Sequence, residues 1–260
     1  MRTAWLCGAW LATQSVSLPA TLQPKTVQAF DRYIQATEAR LERQVNGGTF
    51  LWVDETAARR DQARQGEVVV APWTGHGEVH VPDGLIHDWI GAVFIPGATL
   101  GRALAMLQNY DDHHNIYQPE VIGSKTLSRQ GDHFRIHLRL LKKKVLTVVL
   151  ATEHDAQYFP LEGGRCHSRS RSTRIAEVVN AGKPGERELP PGNDHGFLWR
   201  LNSYWRFQER DGGVWVECQA VSLTRAVPTG LGWLIDPIIR QLPRESLGNT
   251  LRATRAAVAR

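Results

Sequence analysis

Apolar residues recur along this chain with two periods. Over residues 24–45, Val27, Phe30, Ile34, Leu41 and Val45 fall at helical spacing among Arg, Glu and Gln, and Gly47-Gly48 closes the run, which predicts an amphipathic helix. Residues 49–53 and 66–73 read as short β-rich runs, with a polar, Arg-rich loop or helical turn between them, and the apolar run 86–95 stops at Pro96-Gly97. Residues 99–110 are helical again, with Leu100, Ala103, Leu104 and Leu107 on one stripe. The period then changes to two. Residues 133–140 alternate strictly, the mark of a strand with one buried face, and 145–158, 165–178, 197–210 and 213–225 continue as strands around a Gly/Pro-rich connection at 180–194.

Register follows from the turns. If Lys142-Lys143-Lys144 is a turn, with Leu141 opposite Val145, then Phe134, Ile136, Leu138 and Leu140 face Thr152, Leu150, Val148 and Leu146, and His133 stands beside Glu153. Asp211-Gly212 is a strong two-residue hairpin signal that pairs Phe207 with Val216, Trp205 with Cys218, Ser203 with Ala220 and Leu201 with Ser222, and Arg206 with Glu217 on the other face. After Pro228, residues 230–258 carry Trp233, Leu234, Ile235, Ile238, Ile239 and Leu242, then Leu247, Leu251, Thr254 and Val258. This is a terminal helix, which Pro237 is expected to kink or divide. An α+β order results: a helix, two or three short strands, a helix, a meander of about five antiparallel strands, and a helix to cover the sheet's apolar face.

Composition adds limits. The chain has 260 residues, a formal charge of +5, 42% hydrophobic and 22% charged residues, a balance too apolar for a disordered chain and too interrupted for a membrane bundle. The basic excess is weaker than that of a dedicated nucleic-acid binder. Residues 1–20 have a short cationic start, an apolar stretch and then small residues, the pattern of a secretory signal peptide, so a periplasmic or secreted location is expected, with one domain over residues 21–260. Its removal would take Cys7 and leave Cys166 and Cys218. These two are expected to stay unbonded, because one strand lies between theirs and two strand spacings of ~4.8 Å exceed the ~7 Å limit for bridged Cα atoms.

Three segments, FLWRLNSYWRF at 197–207, GGVWVECQAVSLTR at 212–225 and LPRESLGNTLRATR at 242–255, resemble bacterial members of the START-like, or SRPBCC, helix-grip superfamily. The resemblance implies a curved antiparallel sheet wrapped around a long C-terminal helix with a hydrophobic cavity between them. It implies no single activity, since carriers, cyclases and ligand sensors share that fold.

The chain carries no G-x-S-x-G, P-loop, dinucleotide-binding or H-E-x-x-H motif. In Asp111-Asp112-His113-His114 only Asp111 and His114 have the spacing of a helical ligand pair, and a solvated helix end is the simpler reading; no metal or other cofactor is expected. Arg206 with Glu217 reads as a surface ion pair on the sheet's outer face, the alternative being a cavity pair that binds a polar head group or transfers a proton, and Trp199, Trp205 and Phe207 fall on the apolar face as core packing or as cavity lining. The bases Arg135, Arg139, Lys142, Lys143 and Lys144, with Arg165, Arg169, Arg171 and Arg174, read as a solvated face or as a patch for anionic lipid head groups. The expected function is non-catalytic binding or transfer of a lipid-like ligand by a monomer in the cell envelope, without nucleic acid. The alternative is a cyclase or hydrolase using the same cavity, for which a buried acid-base pair beside it would argue. The residues expected to line it are Leu138, Leu201, Trp205, Phe207 and Val216 from the sheet and Ile235, Ile238 and Ile239 from the helix.

Overall fold

The computed structural model describes residues 20–143, 147–226 and 232–260, the stretch 232–240 by its backbone alone. In chain order its elements are β1 (Ala20–Thr21), α1 (Pro24–Asn46), a 3₁₀ turn (Trp52–Glu55), α2 (Ala57–Arg64), β2 (Val69–Pro72), β3 (Glu78–Val81) and β4 (Gly84–Pro96). Then come α3 (Leu100–Gln108), a second 3₁₀ turn (Tyr110–Asp112), α4 (His113–Ile116), β5 (Val121–Gln130), β6 (His133–Lys143), β7 (Thr147–Leu161) and β8 (Arg165–Val179). The last are β9 (Arg187–Glu188), β10 (Asn193–Asp194), β11 (Arg200–Arg210), β12 (Gly213–Arg225) and α5 (Gly232–Val258).

Local chemistry sets several of these boundaries. Pro24 opens α1, where a missing N–H costs nothing, and Thr56 and Thr99 cap α2 and α3 through their hydroxyls, which accept from the Arg59 and Arg102 amides. Asp211 and Gly212 both have positive φ, 58° and 75°, the backbone of a two-residue hairpin turn whose twist matches its strands. The β11–β12 register is therefore the expected one along its whole length.

The main sheet runs β2-β4-β12-β11-β8-β7-β6-β5 with every neighbouring pair antiparallel; β3 also pairs with β4, and β9 with β8. Its centre is a meander, and β4, the strand before it in sequence, lies beside the last strand, β12. The terminal helix α5 packs on one face, where Leu247, Leu251 and Val258 meet Val93, Ile95, Phe207, Val216 and Cys218. This is the α+β helix-grip arrangement. At Gly91 of β4 an added Cβ would lie 2.6 Å from Leu251 Cδ1 and 3.0 Å from the Val69 carbonyl oxygen, so a glycine lets α5 approach there.

The opposite face is covered as well. Phe30, Ile34 and Leu41 of α1 pack on Ile86, Val221 and Leu223, while Leu51, Trp52, Val53 and Ala63 pack on Ile90, Ala92, Phe94 and Trp215. With both faces buried, β4 is apolar almost throughout, as the run 86–95 shows.

Several expectations need correction. Residues 49–53 form no strand and enter the 3₁₀ turn, the Arg-rich segment is helix α2, and β5 is a strand that its mixed polar pattern concealed. β6 pairs with β7 four residues out of the expected register, with Leu138 opposite Thr152 and Phe134 opposite Ala156, because β6 itself extends through Lys143. An even shift preserves which side chains face the helix, so the alternation remained a sound guide to burial. His133 consequently stands opposite Gln157 and bonds Asp155, while His137 takes the place opposite Glu153. The backbone of α5 is one helix through Pro237. Residues 1–19, 144–146 and 227–231, with the expected leader and part of the expected β6–β7 turn, lie outside the described residues.

Candidate functional site

Four of the expected lining residues meet on the α5 side of the sheet. Phe207 and Val216 are fully buried in the cluster beneath α5, and Leu138 and Trp205 pack against it while partly exposed. The Trp205 and Phe207 rings lie parallel, centroids 6.0 Å apart. Leu201 shares their face by register but stands outside the cluster, half-buried. The side chains of Ile235, Ile238 and Ile239 lie outside the described residues. Trp199 belongs elsewhere: it packs in the α1 cluster and donates its indole N–H to Asp194 Oδ1 at 3.0 Å, since it precedes β11 and escapes the alternation of that strand.

Between these large residues the sheet presents small ones. Across β8, β11 and β12 the lateral rows on the α5 side are Ser168, Trp205 and Cys218, then Ser170, Ser203 and Ala220, then Ser172, Leu201 and Ser222. These are interior strands, yet Ser170, Ser172, Leu201, Ser203, Trp205 and Ala220 remain partly exposed. Phe134, Thr152, His154, Ser168, Ile175 and Cys218 around them are buried. Small side chains among larger ones leave this face recessed there, with a floor of hydroxyl and methyl groups and a border that is part apolar (Phe134, Leu138, Ile175, Leu201, Trp205) and part polar (Thr152, His154, Ser168). A site of this kind suits an apolar molecule with few polar groups. In the sequence its trace is the alternation of Ser168, Ser170 and Ser172 with Arg169 and Arg171, small residues inward and basic ones outward.

His154 at the edge of this floor is 4% exposed, and burial pushes its imidazole down to about 4, with His137 adding to the effect. Its Nε2 lies 3.0 Å from Thr152 Oγ1, whose hydroxyl donates to the Leu138 carbonyl oxygen at 3.0 Å. Deeper in the same cluster, Tyr110 and Tyr158 share a hydrogen bond of 2.8 Å between their hydroxyls, and Tyr117 bonds Thr254 of α5 at 3.1 Å. Phe134 also borders a cleft of about 450 Å³ at the end of α3, with Asp111 and Arg129 on its walls.

The Arg206–Glu217 pair lies on the face opposite α5, as its register predicts, but it is no surface pair. Its side chains are 4% and 1% exposed, because α1 and the 3₁₀ turn at Trp52–Glu55 lie over them. Glu217 accepts the Trp52 and Val53 amides at 2.9 and 2.7 Å and forms an ion pair with the Arg206 guanidinium at 3.3 Å. Arg206 also donates to Gln44 of α1 at 2.7 Å. The same carboxamide accepts from Arg40, which continues to Gln219, and Gln219 and Tyr33 both donate to Asp88. Burial raises Asp88 to about 6. Arg206–Gln44, Arg40–Gln219 and Tyr33–Asp88 join α1 to the sheet directly, and the other links connect these residues to one another and to the 3₁₀ turn, so the network fastens the outer layer to the sheet.

The remaining polar candidates are similarly occupied. Asp111 accepts the Thr126 amide at 2.9 Å and His114 Nδ1 lies 3.0 Å from Ser124 Oγ, so the two join α4 and its flanking turn to β5. No group of three metal-ligating side chains occurs among the described residues. Glu177 is buried and meets His195 Nδ1 at 2.7 Å, but it also accepts the His195 and Phe197 amides at 3.1 and 3.2 Å and so holds the segment entering β11. Most of the basic run is neutralised: Arg135 by Glu153, Arg139 by Glu186, Lys142 by Glu120, Arg169 by Glu42, Arg171 by Glu38 and Arg174 by Glu188. Cys166 and Cys218 are both buried and free, with Phe207 or Trp205 of β11 between their strands.

No family model matches the chain, and no curated protein matches it. Among solved structures, a STAR-related lipid transfer protein fragment from Xanthomonas axonopodis is 16% identical over 74% of this chain and 99% of that one, with a TM-score of 0.47. The Zhui aromatase/cyclase from a Streptomyces species is 13% identical over 67% and 92%, with a TM-score of 0.42. A START superfamily protein from Mycobacterium smegmatis is 10% identical over 66% and 96%, with a TM-score of 0.41.

Proposed function

We propose that the protein binds a lipid-like apolar molecule in the recess between the sheet and α5 and carries it in the cell envelope without catalysing a reaction. The observation that supports this reading is the floor of Ser170, Ser172, Ser203 and Ala220, accessible in the middle of the sheet and ringed by buried side chains. A structural core would fill such a position with large aliphatic residues, because unfilled volume costs dispersion and transfer free energy. The envelope location draws on the leader-like pattern of residues 1–20. The non-catalytic reading draws on the acid-base pairs: Glu177 with His195 is spent on backbone amides, and His154 has a hydroxyl, not a carboxylate, for its partner.

Organic extraction and native mass spectrometry of the purified full chain test the reading. One apolar molecule per chain is expected, either co-purifying or taken up from added lipid extract. A chain that neither carries nor takes up any apolar molecule would remove it.

A further inference from the structure

His154 has an orientation that its neighbours dictate. The Thr152 hydroxyl has one proton, and it goes to the Leu138 carbonyl oxygen. Thr152 Oγ1 must therefore accept from His154 Nε2, so Nε2 carries the imidazole proton and Nδ1 holds a lone pair. Nδ1 has no hydrogen-bond partner among the described residues. The low basicity of this buried ring keeps it neutral at physiological pH, so Nδ1 remains an acceptor.

The lateral neighbour of His154 on β8 is Ser172, one of the accessible residues of the floor. Ser172 Oγ accepts the Leu201 amide at 2.9 Å, and its own proton has no acceptor among the described residues. An acceptor and a donor thus occupy neighbouring positions at the edge of the recess. A ligand hydroxyl between them would satisfy both, donating to Nδ1 and accepting from Ser172. A methyl, ether or ester in its place leaves the imidazole lone pair unpaired.

We infer that His154 and Ser172 form a polar subsite selecting apolar ligands that carry an alcohol or phenol hydroxyl. The inference rests on the proposed binding function and names the ligand class of the same recess. Discrimination of this kind comes from the unpaired group left behind by the wrong ligand, and is worth about five- to twentyfold in Kd.

The test uses two fluorescent probes of nearly equal shape, 2-naphthol and 2-methylnaphthalene, titrated into the full chain and into His154→Leu. The expected result is that the substitution raises the Kd for 2-naphthol about five- to twentyfold and leaves that for 2-methylnaphthalene within about twofold. A parallel change for both probes, or none, would overturn the subsite while leaving the carrier reading intact. Failure of wild-type protein to bind 2-naphthol would overturn the subsite, while the extraction experiment decides the carrier reading. Nitrogen NMR of histidine-labelled wild-type protein gives a second reading that needs no variant. The unprotonated His154 Nδ1 resonance should move on adding 2-naphthol and stay still with 2-methylnaphthalene; no movement with either bound probe refutes the subsite.

Discussion

Arg206 and Glu217 stand directly opposite one another on β11 and β12, 3.3 Å apart, in the most thoroughly buried ion pair among the described residues. Their burial follows from an N-terminal layer that makes the sheet a middle layer instead of an outer wall. A buried charge that loses its partner is costly to leave in place, about 3–5 kcal/mol, whereas an exposed pair is worth under about 1 kcal/mol. Arg206→Ala should therefore destabilise the protein several times more than Arg135→Ala, whose pair with Glu153 is exposed. Urea unfolding of both variants measures this, and equal losses would show that the pair is not shielded by α1.

His113 makes acid stability predictable in sign. It is buried between the Tyr110 and Tyr117 rings, its Nε2 lies 3.0 Å from the Leu107 carbonyl oxygen, and burial pushes its pKa down to about 4. A folded-state pKa below the unfolded value of 6.5 means that the unfolded chain takes up the proton first. The contribution is complete above pH 6.5 and lost as pH falls towards 4, about 3 kcal/mol in all. Asp88, raised to about 6, acts in the opposite direction over part of that range, being favourable when protonated and lost as pH rises. The stability difference between wild type and His113→Gln should accordingly shrink between pH 7 and pH 4.5. A constant difference would refute the assignment.

What was legible in the sequence follows what has a local cause. The β11–β12 register was readable because Asp211-Gly212 admits one tight turn, and the α5 face because inward residues such as Phe134, Ile136 and Phe207 alternate with polar ones. The β6–β7 register was not readable, since shifts of four residues give equally apolar faces and no turn residue separates them. Burial of Arg206 and Glu217 was hidden for another reason. Charged residues on a strand suggest solvent, and only tertiary packing brings α1 and the backbone amides of Trp52 and Val53 to them. The recess was half visible: Leu138 and Trp205 announce themselves by hydrophobicity, whereas Ser170, Ser172, Ser203 and His154 resemble the outward face of any strand.

Cys166 and Cys218 should both be silent in the native protein. Cys166 and Cys218 are buried, and desolvation raises the first thiol to about 11 and the second further, so neither forms thiolate at neutral pH. Iodoacetamide should modify neither residue in native buffer and both in denaturant, as peptide mass spectrometry would show. Rapid native labelling at either position would mean that the sheet core is open.

Trp205 separates a binding role from a packing role. It is partly exposed beside Ser203 of the floor while its ring stacks on fully buried Phe207, so Trp205→Ala enlarges the recess and also removes core contacts. Phe207→Ala, by contrast, cuts only the core, at about 3–5 kcal/mol. If the recess holds a lipid-like ligand, Trp205→Ala should change the amount or chain length of bound molecules under conditions where the variant is still folded, and lower Tm less than Phe207→Ala does. Bound molecules counted by extraction and Tm measured on the same samples give both numbers. Unchanged ligand content together with a Tm loss matching that of Phe207→Ala would make Trp205 a core residue and move the binding site away from this face.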